Sequence, residues 1–223
     1  MKLAISLYQK LKNIENQEYK TAMETYMKNN FLFFGIKATL RRAVFKKFLT
    51  ENKDEILKDF RQIAKDLYQF PERECHYCAI EIMIFGFKKN IQETDILLIK
   101  NLITTHSWWD SVDTIAAHLL GSYLKKFSDA KIEILNDFSN TDYMWLNRAS
   151  IIFQLLYKDT VNEEILFSMC EKFSYSKEFF IQKAIGWALR NYAKVNPIAV
   201  RNFVALQNLK PLSVREALKH QEK

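Results

Sequence analysis

The sequence predicts an all-α protein, an α-solenoid of antiparallel helix pairs with a concave basic face. Three observations predict it. The 223 residues include only 4 Gly and 3 Pro, too few turn residues for barrels, sandwiches or hairpin stacks. Apolar residues recur at i, i+3, i+4 and i+7 almost throughout. The polar breaks between these runs are a few residues long, which suits helices folded back in pairs and stacked in order. Gly35, Gly86, Gly121 and Gly186 lie too far apart for a glycine-rich phosphate loop. A composition of 48% hydrophobic and 26% charged residues excludes a disordered chain.

Taken in order, the periodic segments are 2–12, 17–29, 40–51, 53–69, 72–89, 92–104, 108–126, 129–138, 143–157, 161–173, 177–195, 198–207 and 213–220. Cap signals accompany several starts. Ser107 three residues before Asp110, Thr141 or Asp142 ahead of Trp145, Ser176 ahead of the 177–195 segment, and Ser213 three residues before Glu216 fit N-caps or capping boxes. Pro71 and Pro197 stand where a first helical turn tolerates proline. Self-similarity between pairs is weak, so a compact helical bundle is the alternative to a solenoid. The length suits one domain, 1–223.

No apolar run approaches a membrane span, and Gln9 and Lys10 interrupt the first apolar stretch too early for a signal peptide. These features predict a cytoplasmic protein with no membrane partner. Three cysteines fit a reducing compartment, and Cys75 and Cys78, spaced C-x-x-C without a second pair, read as buried thiols on a helix and not as a metal site. His76, His106, His118 and His220 are scattered without ligand or acid/base spacing, which predicts structural or surface roles. No metal or cofactor is expected. The net charge of +7 is uneven: residues 1–60 carry 12 basic and 7 acidic side chains, 61–174 carry 12 and 16, and 175–223 carry 9 and 3. Basic ends invite a polyanion such as nucleic acid.

Some residues stand off the apolar stripes. In 177–195 the stripe is Ile181, Ala184, Ile185, Ala188, Leu189 and Tyr192, while Trp187 lies opposite, in a row with Lys183, Arg190 and Lys194. An indole among cations suits a site that grips an anionic polymer and offers it a π-face; a tryptophan sealing two repeats is the other reading. In 108–126, Trp108, Val112, Ile115 and Leu119 face inward, and Trp109 and Asp113, at i and i+4, share a neighbouring face. In 143–157, Trp145, Ala149, Ile152, Phe153 and Leu156 face inward, and Arg148 projects from the stripe's edge. In a stacked array alternate helices line one wall, so the two tryptophans, the aspartate and the arginine form a candidate site. A carboxylate between indole faces can stabilise a developing cation, which suggests cleavage through an oxocarbenium-like state.

Three stretches carry a family resemblance: Tyr26-Met27-Lys28-Asn29 with Phe31-Leu32-Phe33-Phe34-Gly35-Ile36, then Ser107-Trp108-Trp109-Asp110-Ser111-Val112-Asp113, then Phe179 to Arg190. Their order and spacing resemble the AlkD-type bacterial DNA alkylation repair enzymes over essentially the whole chain. The resemblance implies HEAT-like helix pairs and a monofunctional DNA glycosylase acting on cationic N3- and N7-alkylated purines in duplex DNA. It implies no base flipping, no metal or cofactor, a monomer, and association with the nucleoid when bound. Trp109, Asp113 and Trp187 match the family's catalytic positions, Arg148 its phosphate-gripping arginine, and Tyr26 a tyrosine on its DNA-contacting helix.

An alkylated purine is already cationic and leaves without a general acid, so the work left to Asp113 is to stabilise the deoxyribose cation and orient water. Lys183, Arg190, Lys194, Arg41 and Arg42 are the expected further DNA contacts. Gly35-Ile36 is followed by Lys37-Ala38-Thr39-Leu40 where the family usually has Thr-Pro, and Thr39 is the residue available to cap the next helix. Two other functions stay open: a relative that binds DNA without excising bases, and a helical-repeat scaffold for protein partners. A carboxylate among phosphates repels them, so a purely binding protein has no need of Asp113.

Overall fold

The computed structural model describes residues 1–219, and each periodic segment that begins within them contains a helix. His220 and the last residues of the 213–220 segment lie outside the described part. By contact the chain forms two compact units, Met1–Ile91 and Gln92 onward.

The first unit contains α1 (Lys2–Lys12), α2 (Gln17–Tyr26), α3 (Ala38–Glu51), α4 (Lys53–Leu67) and α5 (Arg73–Phe87). α4 and α5 form its most extensive pair, and α1 packs against both α3 and α4. Leu7, Leu11, Phe48, Ile56, Phe60, Leu67, Ile82 and Met83 are buried between them; truncating one such side chain to alanine costs about 2–5 kcal/mol. The α2–α3 connection is held from α5. The buried Glu74 carboxylate accepts the backbone N–H groups of Phe34, Gly35 and Ile36, each at 3.0 Å. Gly35 has φ +80°, and a Cβ there would sit 2.1 Å from the Asn16 carbonyl, so both conformation and space require glycine.

The second unit contains α6 (Asp95–Thr104), α7 (Trp109–Thr114), a π-helical segment (Ile115–Leu120) and α8 (Gly121–Lys126). It continues with α9 (Lys131–Ser139), α10 (Met144–Ile152), a 3₁₀ turn (Lys158–Thr160), α11 (Glu163–Lys172), α12 (Phe179–Tyr192), α13 (Pro197–Leu206) and α14 (Pro211–Leu218). α10 is its hub, packing on α6, α7, α9, α11 and α12, while α12 makes its largest contact with α14. The architecture is all-α and helical-repeat, and the described residues form no strand, only an isolated bridge between Leu32 and Glu72.

Several local expectations are corrected. The segment 143–157 stops being helical at Ile152, because the Gln154 side chain exchanges two hydrogen bonds with the Asn162 backbone (2.8 and 3.1 Å) and pins the chain in a turn. The helical period therefore does not reach Leu156, which is half exposed, and Tyr157 is buried in its place. The cap residues also differ. Asn16, Asn162 and Asn196 accept the capping N–H groups of α2, α11 and α13, whereas Thr39 lies inside α3, which starts at Ala38 without a side-chain cap. Ser107 instead donates to the Ile103 carbonyl at 2.5 Å, and Ser213 to the Gln182 carbonyl at 3.1 Å. Pro197 opens α13 as expected, while Pro71 precedes α5.

Candidate active site

The site is assembled in the second unit around the start of α7. Trp108 is extended (φ −160°, ψ 161°) and only Trp109 begins the helix, which separates two adjacent indoles onto different surroundings. Trp108 packs on Trp145 of α10 (ring centroids 5.7 Å) and Phe180 of α12 (5.5 Å), and Trp145 and Phe180 close the triangle at 5.0 Å. This aromatic base locks α7, α10 and α12 together. His106, in the turn before it, has φ +51°. Ser107 in the same turn is hydrogen-bonded at 2.7 Å to the hydroxyl of Tyr143, which precedes α10.

Trp109 and Asp113 stand one turn apart on α7, both half-buried. The Asp113 carboxylate receives a two-pronged contact from Arg148 of α10, Nε to Oδ1 at 2.7 Å and Nη2 to Oδ2 at 2.8 Å, and Arg148 Nη1 donates to the Phe180 carbonyl. All three guanidinium nitrogens are thus engaged and Arg148 is buried. The guanidinium turns inward from the stripe's edge and holds the carboxylate. The carboxylate keeps 13% of its side-chain surface exposed. Two lone-pair directions remain beyond those that Arg148 uses. Burial, assisted by Asp110, outweighs Arg148 and raises the Asp113 pKa above its ordinary value.

Immediately after Asp113 the helix widens into the π segment, where the Gly121 N–H reaches back to the Ala116 carbonyl. Tyr157 caps the disturbance by donating to the Gly121 carbonyl at 2.7 Å. Insertions of this kind re-aim side chains and recur at functional sites.

Trp187 lies two turns along α12 from Phe180, on the same face, and is half-buried. The cations beside it are not a bare row. Lys183 Nζ and Arg190 Nη1 both hold the Glu216 carboxylate of α14, at 2.9 and 2.8 Å, and Arg190 also donates to the Glu216 carbonyl. Together they hold the Glu216 pKa down to about 2. Lys194 is exposed, with no ion pair among the described residues. Gly186 faces this junction, where a Cβ would come within 2.3 Å of Glu216 Cβ and 2.9 Å of the Ser213 carbonyl. Its glycine serves helix-to-helix approach.

In the first unit Tyr26 is 71% exposed and Arg42 is exposed. Arg41 is buried, paired with both Glu81 oxygens (2.7 and 3.1 Å) and 5.3 Å from the Tyr77 ring centroid. Its helix turns it inward against α5. Cys75 and Cys78 are buried, and burial pushes the Cys78 thiol up to about 12. His76 is buried beside the Phe70 carbonyl at 2.9 Å. No group of three or more His, Cys, Asp or Glu side chains suited to a metal occurs among the described residues. No helix among them is long and apolar enough to cross a membrane.

The sequence profile of the family described as DNA alkylation repair enzyme matches residues 7–221. The chain belongs to this family. Among solved structures it is similar to a predicted DNA alkylation repair enzyme from Enterococcus faecalis, with a TM-score of 0.82 and 31% identity over 94% of this chain and 97% of that one. Its fold is also similar to that of smu.31 from Streptococcus mutans UA159, with a TM-score of 0.58 and 16% identity over 82% of this chain and 96% of that one. Among curated proteins, none matches the chain. Membership makes it a DNA alkylation repair enzyme with DNA as its substrate. The partnerships of Phe180, Glu216 and Glu81 escaped the sequence reading because they run between helices, out of reach of any local spacing.

Proposed function

We propose that the protein is a monofunctional DNA glycosylase that hydrolyses the N-glycosidic bond of cationic N3- and N7-alkylated purines in duplex DNA, leaving the base stacked. The observation that carries this reading is the Asp113 carboxylate. It is oriented by two Arg148 hydrogen bonds, mounted on an aromatic base, and keeps one exposed edge.

The substrate base departs as a neutral purine, so no proton need be delivered to it. Bond breaking leaves positive charge on the deoxyribose, and a fixed carboxylate edge stabilises that charge without reorganising. The same edge accepts a hydrogen bond from the attacking water and aims its oxygen at the anomeric carbon. Trp109 and Trp187 offer π-faces to the cationic sugar. Arg148 acts as a positioning residue, and its buried guanidinium keeps Asp113 from turning away. Tyr26, Arg42 and Lys194 supply exposed groups for the DNA backbone. Monomeric action and cytoplasmic, nucleoid-associated localisation belong to the same reading.

The test is release of 7-methylguanine and 3-methyladenine from methylated duplex, measured by chromatography of the free bases. Release by the parent and its loss in Asp113→Asn, with duplex affinity kept, is the expected result. Unchanged release in that variant would sink the mechanism, and salt-sensitive binding without release by the parent would favour the non-excising relative.

A further inference from the structure

The contact between α12 and α14 has a chemistry that apolar packing does not explain. Lys183, Trp187 and Arg190 follow one another along a face of α12, and the two cations flanking the indole turn onto one carboxylate, each taking its own oxygen. The cations remain partly accessible, with 37% and 26% of their side-chain surface exposed, while the Glu216 side chain keeps 11%. The trio therefore carries a net charge of one where the sequence row alone would present two. Glu216 is placed firmly: its Cβ lies against Gly186, the residue before Trp187. Its low pKa keeps it ionised at any working pH.

We propose that Glu216 is a specificity-determining residue of the DNA site, withdrawing one unit of charge beside Trp187 so that attraction to undamaged backbone stays low. This rests on the reading of DNA as the ligand of this face. Non-specific attraction grows with the number of phosphates neutralised and is paid equally by every stretch of duplex. A repair enzyme gains from having less of it beside the group that reads the lesion, since undamaged DNA is the competitor. An arginine and a lysine already satisfied by a carboxylate still fill the space on either side of the indole and hold α14 in place.

The experiment measures binding of an undamaged duplex against salt by fluorescence anisotropy, for the parent, Glu216→Gln, Glu216→Asp and the double variant Lys183→Met, Glu216→Gln. Each additional phosphate contact steepens the log–log slope by about 0.9, so between about 50 and 200 mM salt Glu216→Gln loses about 3.5-fold more affinity than the parent. Glu216→Asp, which keeps the charge, and the double variant, which again presents one net charge, return to the parent's slope. Equal slopes in Glu216→Gln and the parent overturn the proposal, as does a double variant as steep as the single one. A Glu216→Gln chain that fails to fold by circular dichroism overturns it too, by making the ion pairs a folding requirement. Undamaged duplex carries no base to release, so the outcomes separate. Expected slopes without base release defeat the glycosylase reading alone, and equal slopes with intact release defeat only this one.

Discussion

Two carboxylate–cation clusters of the second unit make an instructive pair. Asp113 has one guanidinium and a side chain that is 13% exposed, and burial lifts its pKa. Glu216 has two cations near the surface, and their hydrogen bonds pull its pKa down to about 2. The charge types are the same and the directions opposite. Desolvation acts against the charged form in both, and the number and alignment of partners decides which effect wins. The consequence is functional. A carboxylate whose ionised form is disfavoured gains most when a cation arrives beside it, which suits the proposed encounter of Asp113 with a positively charged sugar. A carboxylate saturated by two fixed cations has little left to give a ligand and serves as part of the frame.

The sharpest break in that comparison is chemical. Asp113→Asn is expected to lower base release by about 10²–10³-fold, the cost of removing one preorganised electrostatic group, whereas Glu216→Asp should leave release within a few-fold of the parent; single-turnover assays at matched saturation read both. Arg148→Ala comes next. It leaves a largely buried carboxylate without its guanidinium and is expected to cost about 3 kcal/mol by urea unfolding, with Arg148→Lys recovering only part because one ammonium cannot supply the two-pronged contact. A Gly186→Ala chain is expected to lose about 1–3 kcal/mol, since its new Cβ must push α14 away. A variant as stable as the parent would show that the α12–α14 contact yields.

The smallest effects are in pH. Glu216 has a folded pKa below its ordinary 4.5, so its contribution to stability is fully present above 4.5 and is lost as pH falls through about 2. The stability difference between the parent and Glu216→Gln should therefore shrink across that window, by about 1 kcal/mol given the partial solvent exposure. Asp113 runs the other way. Its folded pKa is raised, so its protonated form is the one folding favours, and what it contributes to stability is lost as pH rises through the raised value. If the ionised form is the active one, base release should fail on the acid side at a pH above the ordinary 3.8 of an aspartate. A pH–rate profile flat down to 3.8 would remove Asp113 from that role.

Much of this was legible residue by residue. Val112, Ile115 and Leu119 do pack inward, and Trp109 and Asp113 do share a face, because helical spacing is a local property; Trp108 packs inward too, but from the extended residue ahead of the helix. Arg148 was placed on the correct helix, but without its partner Asp113. Its position at a stripe's edge is compatible with reaching out or folding in, and only the presence of Asp113 and the Phe180 carbonyl within reach decides between them. Arg41 differs for the same reason, its partner Glu81 being forty residues away. Of the expected caps, Ser107 turned back to the Ile103 carbonyl and Ser213 across to the Gln182 carbonyl, while the asparagines that do cap were overlooked.

By itself, then, the sequence determined the class of fold, the run of helices and the family, since these follow from periodicity, scarce turn residues and contiguous motifs. The tertiary structure decided which charges are spent on one another. Ion pairing depends on distances of a few ångströms between helices, and no one-dimensional spacing encodes those distances. Of the eight polar or charged side chains expected at the DNA face, Lys183 and Arg190 go to Glu216, Arg148 to Asp113 and Arg41 to Glu81. Tyr26, Arg42 and Lys194 remain at the surface, and Asp113 keeps only the one edge that the proposed chemistry needs.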